Sequence, residues 1–196
     1  MSAPEPAASP DTGARPSLSP ARRRRLRARN LMLLRLAWGA VLLLVLAWSL
    51  WQPLPWPERL ALWVLLTVLA DEAGHWYGFI GVLLGALPFF ATAAPPAQWW
   101  AILPLVGGAL LALLVVKHAG GPLVLPFAWA VFAAAILGAA RLSPSIDDTL
   151  TLPMNHTFQR TSLLMAALGL GFSLLRQLTG LYLRRRAEQL RPVVAG

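Results

Sequence analysis

The sequence of 196 residues contains no cysteine. Disulfide bonds, zinc–thiolate sites, iron–sulfur clusters and thiol redox chemistry are therefore excluded. Charged residues make up 13% of the chain, about half of the roughly 25% that is usual in soluble domains. Lysine occurs once, at Lys117, against sixteen arginines. This bias indicates a GC-rich genome, and we expect a bacterial one.

Apolar residues dominate what is present. The chain is 57% hydrophobic and its mean hydropathy is +0.60. A soluble domain of this size has too little interior to bury so much apolar surface, and disorder of the whole chain would require low hydrophobicity. The composition therefore predicts an all-α, polytopic helical membrane protein.

The net charge of +9 is concentrated at the two ends of the chain. Residues 1–30 hold seven arginines against two acidic residues, and residues 184–196 hold four against one. Basic ends that flank apolar helices follow the positive-inside rule, which places such ends in the cytoplasm. The charge is thus explained without nucleic acid, and no nucleic-acid partner is predicted.

Three regions follow from this pattern. Residues 1–30 are predicted to be a disordered basic cytoplasmic tail, residues 31–183 a transmembrane domain, and residues 184–196 a short basic cytoplasmic tail. The run Leu31–Trp51 exceeds the apolar core of a signal peptide and is expected to be an uncleaved anchor. The arginines before it are expected to contact anionic lipid: Arg22, Arg23, Arg24, Arg25, Arg27 and Arg29.

Polar or proline-rich breaks divide the apolar region. They fall at residues 52–57, 71–75, 94–98, 117–122 and 141–161. The stretch 58–94 is too long for one membrane-crossing helix of about 20 residues, so two spans there give six in total. Five spans are the alternative, but they would place Arg184–Arg186 outside, against the charge rule. Six spans put both termini in the cytoplasm and the 141–161 loop outside a bacterial inner membrane.

Four glycines recur at helical spacing: Gly74, Gly78, Gly81 and Gly85. Small residues along one helix face let helix backbones approach closely in lipid. The stripe therefore predicts a tight helix contact, within the chain or with another copy.

Polar residues at one break could carry chemistry. Asp71, Glu72 and His75 combine two carboxylates with an imidazole, a set that can relay protons or ions or join in a metal site. Glu72 and His75 have the Glu-x-x-His spacing that di-iron carboxylate bundles use on one helix, but such a site needs a second Glu-x-x-His pair, which the sequence lacks. A solvated turn is the plainer interpretation. No metal, cofactor or catalytic residue is predicted.

Arg176 is the one charge well inside the last span. A charge within a span is costly and usually faces the bundle interior or a wet cavity. In the six-span arrangement Arg176 lies on the same side as Asp71 and Glu72. We therefore expect it to approach one of these carboxylates and to join Asp71, Glu72 and His75 as a candidate for ion or proton relay, with snorkelling to the surface as the alternative.

Three functions fit these features. The first is a non-catalytic scaffold, assembly factor or accessory subunit of a cell-envelope complex. The second is a small transporter or channel subunit, and the third is a membrane enzyme using Glu72 and His75. The lack of catalytic motifs favours the first. Expected partners are the lipid bilayer with its anionic lipids, and either further copies of the chain or other membrane proteins.

Overall fold

The computed structural model describes residues 20–91 and 99–189. Within these ranges the secondary structure is entirely helical, as the composition predicts. The six α-helices are α1 (Pro20–Trp51), α2 (Trp56–Asp71), α3 (His75–Ala91), α4 (Trp99–His118), α5 (Val124–Ile146) and α6 (His156–Gln189), and a 3-10 turn covers Leu152–Met154. The predicted break at 94–98 lies outside the described residues.

Among the described residues, three helical segments are long and apolar enough to cross a membrane: Arg25–Trp51, Val124–Ile146 and His156–Gln189. Helix α2 has 16 residues, which is about 24 Å at the usual helical rise. That is shorter than a hydrocarbon core of about 30 Å. The described helices thus fit the membrane class, with α2 of less than full spanning length.

The chain forms two compact units, which meet in sequence between Leu34 and Arg35. In the first unit, the part from Pro20 onward is helical. The predicted disordered tail of residues 1–30 is therefore wrong for residues 20–30, because arginine, leucine and alanine are all strong helix formers. Residues 1–19 lie outside the described part.

The arginines of this first unit point outward where their side chains are described. Arg22, Arg25, Arg27 and Arg29 are exposed. The side chains of Arg23 and Arg24 are outside the description.

In the second unit, α2 is the central helix. It packs against α3 and α6, while α4 packs against α3 and α5, and α5 packs against α6. Trp63, Phe132 and Phe158 from α2, α5 and α6 are the largest fully buried side chains. In lipid, dispersion contacts between well-packed side chains, rather than escape from water, hold such helices together.

The connection between α5 and α6 is shorter than the predicted 141–161 loop. Helix α5 continues through Pro144. Because proline has no N–H group, Pro144 cannot donate to the carbonyl oxygen of Ala140 four residues earlier. The hydroxyl of Ser143 donates to that oxygen instead (3.4 Å). Helix α6 begins at His156, because Asn155 Oδ1 accepts the N–H groups of Thr157 (2.8 Å) and Phe158, as an N-cap does. Residues 147–155 form the connection.

The predicted C-terminal tail begins within a helix. Helix α6 continues through the exposed Arg184–Arg186 to Gln189, and the membrane boundary predicted before residue 184 stays a prediction. The favourable helix propensities of leucine, arginine, alanine and glutamate account for this continuation. Residues 190–196 lie outside the described part.

Candidate functional site: a buried charge cluster

Five polar side chains meet where α2 and α4 end. We call this group the charge cluster: Asp71, Glu72, Lys117, His118 and Arg176. Asp71 is the last residue of α2 and Glu72 caps it, Lys117 and His118 end α4, and Arg176 lies two-thirds of the way along α6. Three helices distant in sequence therefore contribute.

The Lys117 ammonium bridges both carboxylates. Its Nζ lies 2.7 Å from Asp71 Oδ2 and 2.6 Å from Glu72 Oε1. His118 Nε2 lies 2.9 Å from Asp71 Oδ1, and Arg176 Nε pairs with Glu72 Oε2. Each of the four carboxylate oxygens thus faces a cation or an imidazole.

Burial and helix dipoles explain this arrangement. The side chains of Asp71 and Lys117 are 0% and 4% exposed, and buried charges require close partners. Carboxylates at the C-terminal end of α2 meet the unfavourable end of its dipole, whereas cations at the end of α4 meet a favourable one. The two helix ends are therefore electrostatically complementary.

The turn between α2 and α3 is held from α1 as well. Arg35 donates from Nε (3.1 Å) and Nη2 (2.7 Å) to the carbonyl oxygen of Glu72, one of the carbonyls that a helix end leaves without an intrahelical partner. The Tyr77 hydroxyl donates to the carbonyl oxygen of Leu36 (3.1 Å). The middle of α1 thus lies level with the charge cluster.

The expected approach of Arg176 to a carboxylate is confirmed, with Glu72 as the partner. Lys117 was not among the candidate residues, although it makes two of the ion pairs. The available signal was the chain's single lysine, at the end of an apolar run. In an arginine-rich sequence a compact ammonium fits between two carboxylates where a planar guanidinium would need more room.

The side chain of His75 lies outside the described part of the chain. Among the described residues, no three side chains of histidine, aspartate or glutamate are grouped as a metal site would require. The charged side chains of the cluster thus form ion pairs with one another. The His118 imidazole and the Arg176 guanidinium also reach the surface, since these side chains are 30% and 47% exposed.

The glycine stripe lies against α2. A Cβ atom at Gly78 would fall 2.6 Å from Asp71 Oδ1, and one at Gly81 would fall 2.8 Å from Thr67 Oγ1. At Gly85 it would overlap the indole ring of Trp63. Gly74 is looser, with Tyr77 as its nearest neighbour. The partner of this stripe is thus a helix of the same chain.

Just after the C-terminal end of α5, Thr149 folds back on Asp147. Its hydroxyl (2.7 Å) and its N–H (2.9 Å) both donate to Asp147 Oδ1. These hydrogen bonds lower the pKa of the Asp147 carboxyl below its usual range. The contact closes a local turn and lies apart from the charge cluster.

The part of the chain that the structure describes is all-helical, with three segments long and apolar enough to cross a membrane and a buried cluster of paired charges where α2 and α4 end. In comparisons with known proteins, no family model, no curated protein and no solved structure matches this chain.

The Arg176–Glu72 contact should appear as a coupling free energy. Arg176→Gln and Glu72→Gln should each destabilise the fold, and the pair should cost about 1 kcal/mol less than the sum, because the guanidinium is half exposed. Unfolding of the purified chain by denaturant in detergent measures this.

The matched control pairs Arg176→Gln with Glu58→Gln. Glu58 lies in the first turn of α2, about 20 Å from Asp71 along the helix, so its effect should add to that of Arg176. Additive losses for Arg176 and Glu72 as well would contradict the coupling.

Proposed function

We propose that this chain is a non-catalytic component of a cell-envelope complex, a scaffold or accessory subunit in which the charge cluster locks helices together. The observation that carries the proposal is that each Asp71 and Glu72 oxygen lies within ion-pair distance of Lys117, His118 or Arg176, although Glu72 Oε2 accepts no hydrogen bond from a described residue. Carboxylates that bind a cationic substrate or transfer a proton need a free oxygen, whereas carboxylates that hold helices together need a fixed partner at each oxygen. The cluster matches a lock that joins α2, α4 and α6.

We also propose six spans with both termini in the cytoplasm of a bacterial inner membrane. Support comes from the position of the charge cluster along the helices, because the cluster joins the C-terminal ends of α2 and α4 to Arg176 on α6. Helices that alternate in direction bring these points to one side. That side also carries Arg184–Arg186 beyond Arg176 on α6, as expected for a cytoplasmic face. The arginines of residues 22–29 would then contact anionic lipid.

Reporter fusions test this topology. A reporter after residue 196 should be active only as a cytoplasmic fusion, and one inserted in the 147–155 connection only as an extracytoplasmic fusion, because six crossings place these points on opposite sides. An extracytoplasmic C-terminus would overturn the six-span arrangement.

The function is tested with a neutral variant that carries Asp71→Asn, Glu72→Gln and Lys117→Met. The parent and the neutral variant are extracted from their native membrane in polymer nanodiscs. If the cluster is a lock, both should be isolated with the same second envelope protein in a fixed ratio. Isolation of the parent without any partner would contradict the proposal.

A small proton-coupled transporter is the second candidate. His118 favours it, because its partly exposed imidazole contacts the fully buried Asp71 and an imidazole has nitrogens that can both accept and donate a proton. Vesicles that contain the parent and a pH-sensitive dye distinguish the two. Proton flux with the parent but not with the neutral variant would favour the transporter over the scaffold. Flux at the background level with both proteins would support the scaffold.

A further inference from the structure

Two arginines contact one residue of the charge cluster from different helices. Arg35 on α1 binds the carbonyl oxygen of Glu72, and Arg176 on α6 pairs with its carboxylate. Both arginines are exposed. Two guanidiniums therefore flank Glu72 at the surface of the cluster.

These arginines keep donors available. Arg35 uses Nε and Nη2, and Arg176 uses Nε. Among the side chains that the structure describes, none is a hydrogen-bond or ion-pair partner of Arg35 Nη1 or of the two terminal nitrogens of Arg176. A guanidinium fork matches the oxygen geometry of a phosphate group.

The local charge favours an anion. Asp71 and Glu72 are balanced by Lys117 and Arg176, so Arg35 adds one positive charge in excess. In a low-dielectric setting an unbalanced cation needs a counter-ion or water. An anion beside Arg35 and Arg176 would supply the missing charge.

The short length of α2 brings lipid headgroups within reach of this turn. Helix α2 ends at the turn, and at about 24 Å it is shorter than the hydrocarbon core of about 30 Å. A bilayer accommodates short helices by thinning. Thinning draws headgroup phosphates toward the turn, whereas a soluble phosphate gains nothing from it.

We propose that Arg35 and Arg176 form a binding site for the phosphate group of an anionic phospholipid. The phosphate would accept from Arg35 Nη1 and from the terminal nitrogens of Arg176 while Glu72 holds both side chains in place. Basic sites between membrane helices bind anionic headgroups in this way. The site is separate from the basic segment of residues 22–29, and it does not depend on the scaffold role.

Native mass spectrometry of the full chain in a nonionic detergent tests the site. Phosphatidylglycerol and phosphatidylcholine with identical acyl chains are titrated, and inorganic phosphate is added in a third arm. Phosphatidylglycerol should bind more tightly than phosphatidylcholine, and Arg35→Gln should weaken its binding about fivefold. Binding by residues 22–29 is common to all variants and cancels in the comparison.

Arg141→Gln is the matched control, because Arg141 is an exposed arginine near the other end of α5 and its loss should leave binding unchanged. A second variant, Arg176→Gln with Glu72→Gln, removes the other guanidinium without leaving a carboxylate unpaired, and should also weaken binding about fivefold. Circular dichroism verifies that each variant is folded.

Two results would overturn the proposal. The first is equal phosphatidylglycerol binding by Arg35→Gln and Arg141→Gln in folded protein. The second is displacement of the lipid by inorganic phosphate at equal concentration, which would assign the site to a soluble anion.

Discussion

Replacing Lys117 with methionine should destabilise the folded chain by about 3–5 kcal/mol, the cost of breaking a buried ion pair by removing one partner. Methionine keeps much of the volume and removes the charge that pairs with Asp71 and Glu72. Those carboxylates stay buried, with His118 and Arg176 as their remaining partners. Denaturant unfolding in detergent at neutral pH measures the loss.

The neutral variant is the control for this experiment. It removes both carboxylates together with Lys117, so the one cluster charge left without its partner is that of the half-exposed Arg176, and replacements that remove paired buried charges together are often close to neutral in stability. It should therefore recover most of the loss. If Lys117→Met alone were as stable as the parent, the ion pairs would not hold the helices together and the lock would be refuted.

The second large effect is expected at Gly85, where alanine should cost at least about 1–3 kcal/mol. Its methyl group would overlap the indole of Trp63, a fully buried side chain whose Nε1 donates to the carbonyl oxygen of Gly81 (3.1 Å). Neither ring nor backbone can move without breaking that hydrogen bond or separating α2 from α3. The same unfolding experiment applies.

Gly108 provides a matched glycine on α4. A Cβ atom there meets nothing within 4 Å, so Gly108→Ala should be neutral or stabilising by up to about 1 kcal/mol through helix propensity. Changes of opposite sign in the free energy of unfolding for Gly85→Ala and Gly108→Ala would identify close packing, rather than glycine flexibility, as the cause. Equal effects would contradict the packing argument.

The sequence predicts the helices better than their ends. Apolar runs and proline-rich breaks locate α2, α3 and α4, because in lipid the backbone must satisfy its own hydrogen bonds. The polar residues of 141–161 predict a loop, which is wrong for residues 141–146 and 156–161 because these are helical. The Ser143 hydroxyl donates to a carbonyl oxygen within α5, and Asn155 Oδ1 accepts from the first turn of α6. Such hydrogen bonds depend on local geometry that hydropathy does not record.

The charge cluster was predictable in part. Asp71, Glu72 and Arg176 were candidates because each is a charge next to or within an apolar segment. Lys117 and the Arg35 contact depend on which helices are neighbours, and that follows from packing of the whole bundle. A pattern along one helix, such as the glycine stripe, predicts a close contact but not the identity of the helix that makes it.

The residues of the charge cluster are synthesised at different times, so its ion pairs form in a fixed order. Lys117 leaves the ribosome 46 residues after Asp71, a delay of about 2–9 s at ordinary translation rates, and Arg176 follows later still. Until then Arg35 is, among the described side chains, the one cation already made that contacts the cluster. In the proposed six-span arrangement the α2–α3 hairpin therefore enters the membrane with its carboxylates still beside water, and the arrival of α4 supplies the ammonium that pairs with them.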